Sequence, residues 1–189
     1  MKRTSRLIVA IALASTTLAG TAVMANHHKM SNPTVGGAAM APAKTIVENA
    51  SAAPNLTTLV AAVKAAGLVD TLASPGPFTV FAPTDTAFEK LPAGTVGTLV
   101  KPENKATLTK ILTYHVVAGK LTSTDIVGAI KNGGGTATLT TVAGEKLTAR
   151  LSGNSVVITD GKGGQSAVTT VDVMQSNGVV HVIDSVLLP

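Results

Sequence analysis

Three polar side chains close to the C-terminus have the residue types of a hydrolytic triad: His181, Asp184 and Ser185. A triad requires the nucleophile, the base and the orienting carboxylate within hydrogen-bond reach, beside an oxyanion hole. Neighbouring side chains of a strand alternate between its faces, so His181 and Asp184 lie on opposite faces of the apolar run that holds them. No strained turn of the kind that exposes a nucleophile surrounds Ser185. The sequence therefore predicts a protein that is not an enzyme and holds no cofactor.

A pair of carboxylates, Asp85 and Glu89, lies four residues apart on a predicted helix. Two carboxylates on one helix face can serve in acid–base catalysis. The alternative is structural: Asp85 helps to cap the start of the helix, where the helix dipole favours a negative charge, and Glu89 is solvated. We favour the structural interpretation, because the sequence offers no credible catalytic set around the pair.

The first 25 residues have the pattern of a bacterial-type secretory signal. Lys2, Arg3 and Arg6 precede the apolar run 7–14, and small residues follow as far as Ala25. A membrane-spanning helix needs about 20 apolar residues. Serine, threonine and glycine interrupt this run, which argues against the alternative of a retained anchor. We expect residues 1–25 to be removed, leaving an exported protein, periplasmic or extracellular, without a transmembrane segment.

Two adjacent histidines follow the predicted cleavage site. Cleavage after Ala25 would leave the mature N-terminus Asn26-His27-His28. A free amine with histidine in the third position can enclose Cu(II) or Ni(II) in a square-planar nitrogen site, a geometry that those ions prefer. Asn26, His27 and His28 are therefore a candidate metal site that depends on this cleavage. The alternative is an unstructured tail whose histidines bind nothing.

Charge and cysteine content exclude several function classes. The chain has 15 basic and 10 acidic residues, and three of the basic ones lie in the predicted signal, so the remainder carries a net charge of +2. Its only arginine is Arg150, and no lysine cluster or aromatic platform accompanies it, so nucleic acid is excluded as a partner. Cysteine is absent. Stability must therefore come from packing, and thiolate chemistry is impossible.

The spacing of apolar residues divides the remainder into a tail and one domain. Residues 26–43 contain asparagine, serine, glycine and proline without periodicity, which predicts a flexible tail. Residues 44–189 carry the periodic patterns and are predicted to fold as one domain. Leu56, Leu59, Val60 and Val63 recur at helical spacing, and Asn55 is the expected cap of that helix.

The pattern changes to a period of two after the glycines 133–135, where apolar residues alternate with threonines. Asn177-Gly178 joins the last two apolar runs and predicts a type I′ hairpin, because both central residues of that turn need positive φ. Helices thus dominate the first half of the domain and antiparallel strands the second. This order predicts an α+β fold with segregated layers.

Three stretches together resemble the fasciclin (FAS1) domain family. They are GPFTVFAPTDTAF at 76–88, ILTYHVV at 111–117 and NGVVHVIDSVLLP at 177–189. They occur in the family's order, and the resemblance covers nearly all of the mature chain. It implies a fasciclin-like wedge of two β-sheets with several short helices packed on one side. It also implies a cell-adhesion or extracellular-matrix module, since no enzymatic activity is general to the family.

The resemblance implies candidate contact residues for an extracellular protein or polysaccharide. The family's Tyr-His segment is linked to adhesion and matches Tyr114 and His115. The alternative is structural, with Tyr114 packed and His115 bonded to backbone. The family's Asp-Ile pair before the last hairpin matches Asp172 and Val173, with valine in place of isoleucine. An alternative function is a carrier of a small apolar ligand, a lipid or pigment, held between helices and sheet; the oligomeric state is left open.

Overall fold

The computed structural model describes residues 32–189, which form seven α-helices and nine β-strands. The helices are α1 (Ile46–Ala52), α2 (Thr57–Ala66), α3 (Val69–Ala73), α4 (Asp85–Glu89), α5 (Thr95–Leu99), α6 (Lys105–Tyr114, preceded by the 3₁₀ turn Pro102–Asn104) and α7 (Ser123–Asn132). The strands are β1 (Thr34–Val35), β2 (Ala38–Ala39), β3 (Phe78–Pro83), β4 (Val116–Ala118), β5 (Thr136–Thr140), β6 (Lys146–Ser152), β7 (Ser155–Thr159), β8 (Gln165–Gln175) and β9 (Gly178–Ile183).

Seven strands follow the order β4-β3-β9-β8-β7-β6-β5. The long strand β8 divides them, because its start pairs with β7 and the rest pairs with β9, with register shifts between Val168 and Val173. We call β4, β3, β9 and the end of β8 the first half-sheet, and β5, β6, β7 and the start of β8 the second half-sheet. A bridge between Val117 and Thr141 links their outer edges. The predicted α+β wedge of sheets and short helices is confirmed.

Two apolar clusters form the core. The first joins α1, α2, α3 and α6 to the first half-sheet, where Val80 and Val182 are buried. The second lies on the opposite side of β3 and β9 and joins Phe81 and Ile183 to α7 and the inner face of the second half-sheet. β9 is consequently buried on both faces along its whole length. This explains why its sequence is a nearly continuous apolar run rather than an alternating one.

Threonine side chains cap the N-termini of three helices. Thr45 and Thr122 each form a reciprocal capping box, with Glu48 and Asp125 respectively, and Thr84 caps α4. Each such cap satisfies an N–H group that has no partner within the helix.

The start of α2 is capped from outside the helix, against the prediction for Asn55. Asp85 accepts hydrogen bonds there from the backbone N–H groups of Thr57 (3.3 Å) and Thr58 (2.8 Å). Partial burial opposes ionisation of Asp85, but these N–H donors and the Thr57 hydroxyl outweigh it and lower the pKa of the carboxyl. Asn55 Oδ1 is buried and has no hydrogen-bond partner among the described residues. Asp85 is thus structural, as favoured, although it serves α2 instead of its own helix.

The predicted flexible tail is wrong for residues 32–43. β1 and β2 form a short antiparallel hairpin, and Val35 and Met40 are buried in the first apolar cluster. The Asn32 amide accepts from the Met174 N–H (3.0 Å) and donates to the Met174 carbonyl, as a paired strand would. Strands of two residues show no periodicity, and this partner lies 142 positions away. The local sequence therefore gave no signal of order.

The predicted type I′ turn at Asn177-Gly178 is also wrong. Gln175 pairs directly with Gly178, so the turn residues are Ser176 and Asn177, and Asp172 is the non-glycine residue with positive φ in the described chain. Asn177 is buried: its amide donates to the Leu72 carbonyl (2.7 Å) and accepts from the Ile46 N–H (3.1 Å). Gly178 is required by space, because a methyl group there would lie 2.1 Å from the carbonyl oxygen of Phe78.

Candidate functional site

The Tyr-His pair lies at the C-terminal end of α6, inside the protein. Tyr114 is fully buried, and its hydroxyl accepts from the Gly161 N–H (2.8 Å) and donates to the Lys146 carbonyl (3.3 Å). Burial raises the pKa of this hydroxyl. Tyr114 thereby links α6 to the start of β6 and to the loop between β7 and β8, and it exposes no surface to a partner.

Both ring nitrogens of His115 bond backbone groups. Nδ1 lies 2.8 Å from the Ile111 carbonyl and donates to it, while Nε2 accepts from the Leu187 N–H at 3.0 Å. This pattern requires the neutral tautomer with the proton on Nδ1. Burial lowers the pKa of His115 from 6.5 to about 4. The structural alternative for His115, a histidine bonded to neighbouring backbone, is confirmed.

Both ring nitrogens of His181 on β9 also bond backbone groups, with the donor and acceptor roles exchanged relative to His115. Its Nε2 donates to the Leu121 carbonyl (2.8 Å), and its Nδ1 accepts from the Asp172 N–H (3.3 Å). Its ring stacks on Phe81, with ring centroids 5.7 Å apart. Burial lowers the pKa of this histidine as well. Both nitrogens are thus occupied by backbone groups, which leaves neither free to act as a base.

The triad residue types do not come together. Ser185 donates to Asp184 at 3.2 Å, but Asp184 accepts from the Ala167 N–H (2.9 Å) and not from His181. Partial burial opposes ionisation of Asp184, but hydrogen bonds from the Ala167 N–H and from Lys90 lower the pKa of the carboxyl below its usual value. This cluster fixes the C-terminal segment against β8.

The Asp-Val pair before the last turn also has a structural role. Val173 is buried in the first apolar cluster. Asp172 has a φ of +57°, and its carboxylate accepts from the N–H (2.7 Å) and the hydroxyl of Ser123, the first residue of α7. Aspartate tolerates this left-handed backbone better than most residues. Asp172 on β8 thus supplies the start of α7 with a hydrogen-bond acceptor.

These positions correct the predicted contact surface. Tyr114, His115 and Val173 are buried in the folded domain, so a partner cannot touch their side chains directly. The prediction of direct contact is wrong for these three residues, because the motif's polar groups bond backbone instead of facing solvent. Asp172 is partly exposed, and its contact with a partner stays a prediction.

Comparisons with known proteins agree with this architecture. The family model for the fasciclin domain matches residues 54–189. The chain belongs to the fasciclin domain family. Protein sll1483 of Synechocystis sp. is 48% identical over 155 residues, which cover 82% of this chain and 79% of that protein.

Two relatives are mycobacterial. Immunogenic protein MPB70 of Mycobacterium bovis is 43% identical over 74% of this chain and 66% of its own length. Cell surface glycolipoprotein MPB83 of the same species is 36% identical over 84% of this chain and 67% of its own length.

A solved structure shares the fold. It is the FAS1 domain pair from the insect cell adhesion molecule Fasciclin I, with a TM-score of 0.68. The match covers 77% of this chain and 51% of that one, at 23% sequence identity.

The candidate metal residues Asn26, His27 and His28 lie outside the described residues. Within 32–189, no group of three or more histidine, aspartate or glutamate side chains is arranged to hold a metal ion. No helix in that range has both the length and the apolar character needed to cross a membrane.

The apolar space between the helices and the first half-sheet is small. A cavity of about 30 Å³ lies there, lined by side chains such as Leu59, Val63 and Leu72. That volume holds about one water molecule, and its lining is almost entirely apolar. A lipid or pigment would fit only if α1 and α2 moved away from the sheet.

The outer face of the second half-sheet was missed as a candidate surface. Thr136, Thr138 and Thr140 point outward from β5, and their intervening neighbours are buried. Thr148 on β6 and Thr159 on β7 continue this face. Among the described residues, none of these five hydroxyls has a hydrogen-bond partner within the protein. The alternation of threonine with alanine and leucine in 136–140 was the available signal.

Proposed function

We propose that this fasciclin domain is an exported, non-enzymatic attachment module that binds an extracellular protein or polysaccharide. Family membership supports the proposal. Its structural neighbour comes from a cell adhesion molecule, and its relative MPB83 is named as a cell surface glycolipoprotein. The N-terminal pattern of a basic stretch, a short apolar run and small residues supports export.

One observation carries the non-enzymatic part of the proposal. The histidines and the carboxylate of the two motifs bond within the fold instead: His115 and His181 bond backbone groups, and Asp184 accepts from the Ala167 N–H and from neighbouring side chains. A general base must have a free nitrogen or oxygen within reach of a substrate proton. These groups therefore stabilise contacts between segments of the fold, and binding would have to use the outer surface.

An attachment assay tests the proposal. Cells that lack the gene should lose adhesion to surfaces coated with their own extracellular matrix, and the purified exported protein added back should restore it. A strain complemented with the chain lacking residues 2–25 controls for export, since the protein would then stay inside the cell. Unchanged attachment of the deleted strain on protein and polysaccharide coatings would contradict the proposal.

The apolar-carrier alternative receives little support from the cavity between the helices and the first half-sheet. A ligand of several hundred daltons needs a pocket of roughly 300 Å³ or more, about ten times the 30 Å³ found there. Native mass spectrometry of the exported protein would decide the matter. A bound mass that is lost on denaturation would restore this alternative.

A further inference from the structure

The outer face of the second half-sheet, which we call the threonine face, has a regular strand register. Strand pairing aligns Thr138 with Thr148, Thr148 with Thr159, and Thr159 with Gln165. This row presents one polar side chain per strand at intervals of about 4.8 Å. That interval is close to the length of one sugar unit in an extended polysaccharide. The row therefore offers repeated hydrogen-bonding groups to a repeating polymer.

The threonine face is also positively charged. Lys146 and Arg150 point outward from β6 and are exposed. Of the two acidic residues between 136 and 171, Glu145 pairs with Lys110 at 2.8 Å, and Asp160 is buried with its carboxylate bonded to the Leu188 N–H. Neither Lys146 nor Arg150 has a carboxylate within salt-bridge distance among the described residues. Such a surface favours an anionic partner over a neutral or cationic one.

Aromatic residues are absent from the threonine face. The described chain has four aromatic residues of the phenylalanine and tyrosine types, and all are at least partly buried elsewhere: Phe78, Phe81, Phe88 and Tyr114. Stacking of sugar rings or nucleic-acid bases on aromatic side chains cannot contribute here. Recognition must rest on hydroxyl hydrogen bonds and on charge.

The hydroxyls of this face differ from the threonine hydroxyls that stabilise the fold. Thr45, Thr84 and Thr122 cap helices, and Thr79 accepts from the Leu121 N–H and donates to the Gly119 carbonyl. The preference of strands for β-branched residues accounts for threonine on β5. It does not account for two cations on the same face, Lys146 and Arg150, that have no salt-bridge partner among the described residues.

We propose that the threonine face binds an acidic, carboxylated polysaccharide, with Lys146 and Arg150 pairing with carboxylates and the threonine row hydrogen-bonding the sugar hydroxyls. Gln165 accepts a hydrogen bond of 2.7 Å from Arg150, which holds the guanidinium over the face. The inference rests on the proposed attachment function and assigns to it a surface and a partner class.

Binding to immobilised polygalacturonate, with neutral dextran as the comparison polymer, tests the inference. The exported protein should bind polygalacturonate and not dextran, and added salt should weaken binding, because exposed ion pairs are screened. The double variant K146Q/R150Q should bind about tenfold more weakly, since two exposed ion pairs contribute roughly 0.7 kcal/mol each. The variant T138V/T140V should bind about threefold more weakly.

A matched variant separates the face from the overall charge. K101Q/K105Q also removes two positive charges, from exposed positions between α5 and α6 and at the start of α6, and its affinity should change by less than about twofold. Equal losses of affinity in K146Q/R150Q and K101Q/K105Q would overturn the assignment of the binding site to the threonine face. Equal binding to dextran, or equal binding to duplex DNA or anionic lipid vesicles, would overturn the partner class.

The experiments distinguish a wrong assignment of the threonine face from a wrong attachment function. A protein that restores cell attachment in the deleted strain but ignores polygalacturonate leaves the attachment module standing and overturns this inference alone. The attachment assay performed with K146Q/R150Q supplies the reverse check, because restored attachment at the wild-type level would also overturn the threonine face as the contact surface.

Discussion

The interior of this fasciclin domain and its threonine face use polar side chains in opposite ways. Inside, His115 joins α6 to the C-terminal segment, and His181 joins β9 to the loop before α7 and to β8. Asn177 likewise bonds α1 and the end of α3. On the threonine face, five hydroxyls bond no described residue. The interior groups therefore stabilise the fold, whereas those of the face are available to a partner.

Polar side chains that stabilise the fold and polar side chains available to a partner differ in what their loss costs. A buried donor or acceptor must find a partner, and leaving it unpaired costs about 1–3 kcal/mol. An exposed hydroxyl bonds water in the free protein, so its loss costs almost nothing in stability. Variants in the interior should thus lower the free energy of unfolding, and variants on the threonine face should lower only affinity.

The largest expected effect comes from Gly178→Ala at the start of β9. The added methyl group would lie 2.1 Å from the carbonyl oxygen of Phe78, so β3 and β9 would have to move apart. We expect a loss of about 3 kcal/mol in the free energy of unfolding, measured by urea denaturation. Gly97→Ala in α5 is the matched control, because its methyl group meets open space, and a helix gains about 0.5–1 kcal/mol from it. Equal stability of both variants would contradict the close approach.

Acid should weaken the interior through His115. Its pKa is lower in the folded state (about 4) than its ordinary value of 6.5. The unfolded chain therefore binds the proton more readily, and stability that is complete above pH 6.5 falls as the pH approaches 4. The difference amounts to about 3 kcal/mol at most.

His115→Gln supplies the control for this pH dependence. Urea denaturation between pH 7 and 4.5 should show a shallower slope for the variant, because one titrating group is gone while His181 still contributes in the same direction. The variant will be less stable at pH 7, so the slope and not the absolute value is the readout. Identical slopes would show that His115 is not the group that titrates.

A smaller effect is expected at the start of α7. Asp172→Ala removes the carboxylate that accepts from the Ser123 N–H and places alanine at a φ of +57°. We expect a loss of about 2 kcal/mol from the unpaired donor and the strained backbone. Asp172→Asn keeps an acceptor and tolerates the same φ, so it should lose less than about 1 kcal/mol. An alanine variant as stable as the asparagine variant would remove the capping role.

The smallest effect belongs to the threonine face. Thr138→Val with Thr140→Val removes two exposed hydroxyls and keeps the β-branched shape that suits strand β5. We expect the free energy of unfolding to change by less than about 0.5 kcal/mol, while affinity for polygalacturonate falls. A large loss of stability in urea denaturation would mean that these hydroxyls serve the fold, and the contrast between the two regions would fail.

Much of the fold could be predicted from the sequence. Helical spacing located α2, with its buried residues Leu59 and Val63. Period-two alternation located β5 and β6. These signals are local, because the buried face of a helix or of a half-buried strand produces a periodic pattern of apolar residues within the same segment. The three family stretches supplied the arrangement that local patterns leave open.

The candidate site could not be predicted in the same way. The family resemblance marked Tyr114, His115 and Asp172 as candidate contact residues. Their exposure was not readable, since a buried histidine and an exposed one look alike until the segments that bond it are known. His115 meets Leu187, 72 positions later, and Asp172 meets Ser123, 49 positions earlier.

Residue types, amphipathic patterns and the absence of cysteine can be read directly from the chain, and they indicate an α+β domain stabilised by packing. The three-dimensional fold was needed to show that residues 34–40 are ordered, that Gly178 is needed for space instead of backbone conformation, and that the Tyr-His motif is interior. The physical reason is the same in each case. These features depend on contacts between residues far apart in the chain, and pairing of buried polar groups is settled only when those segments meet.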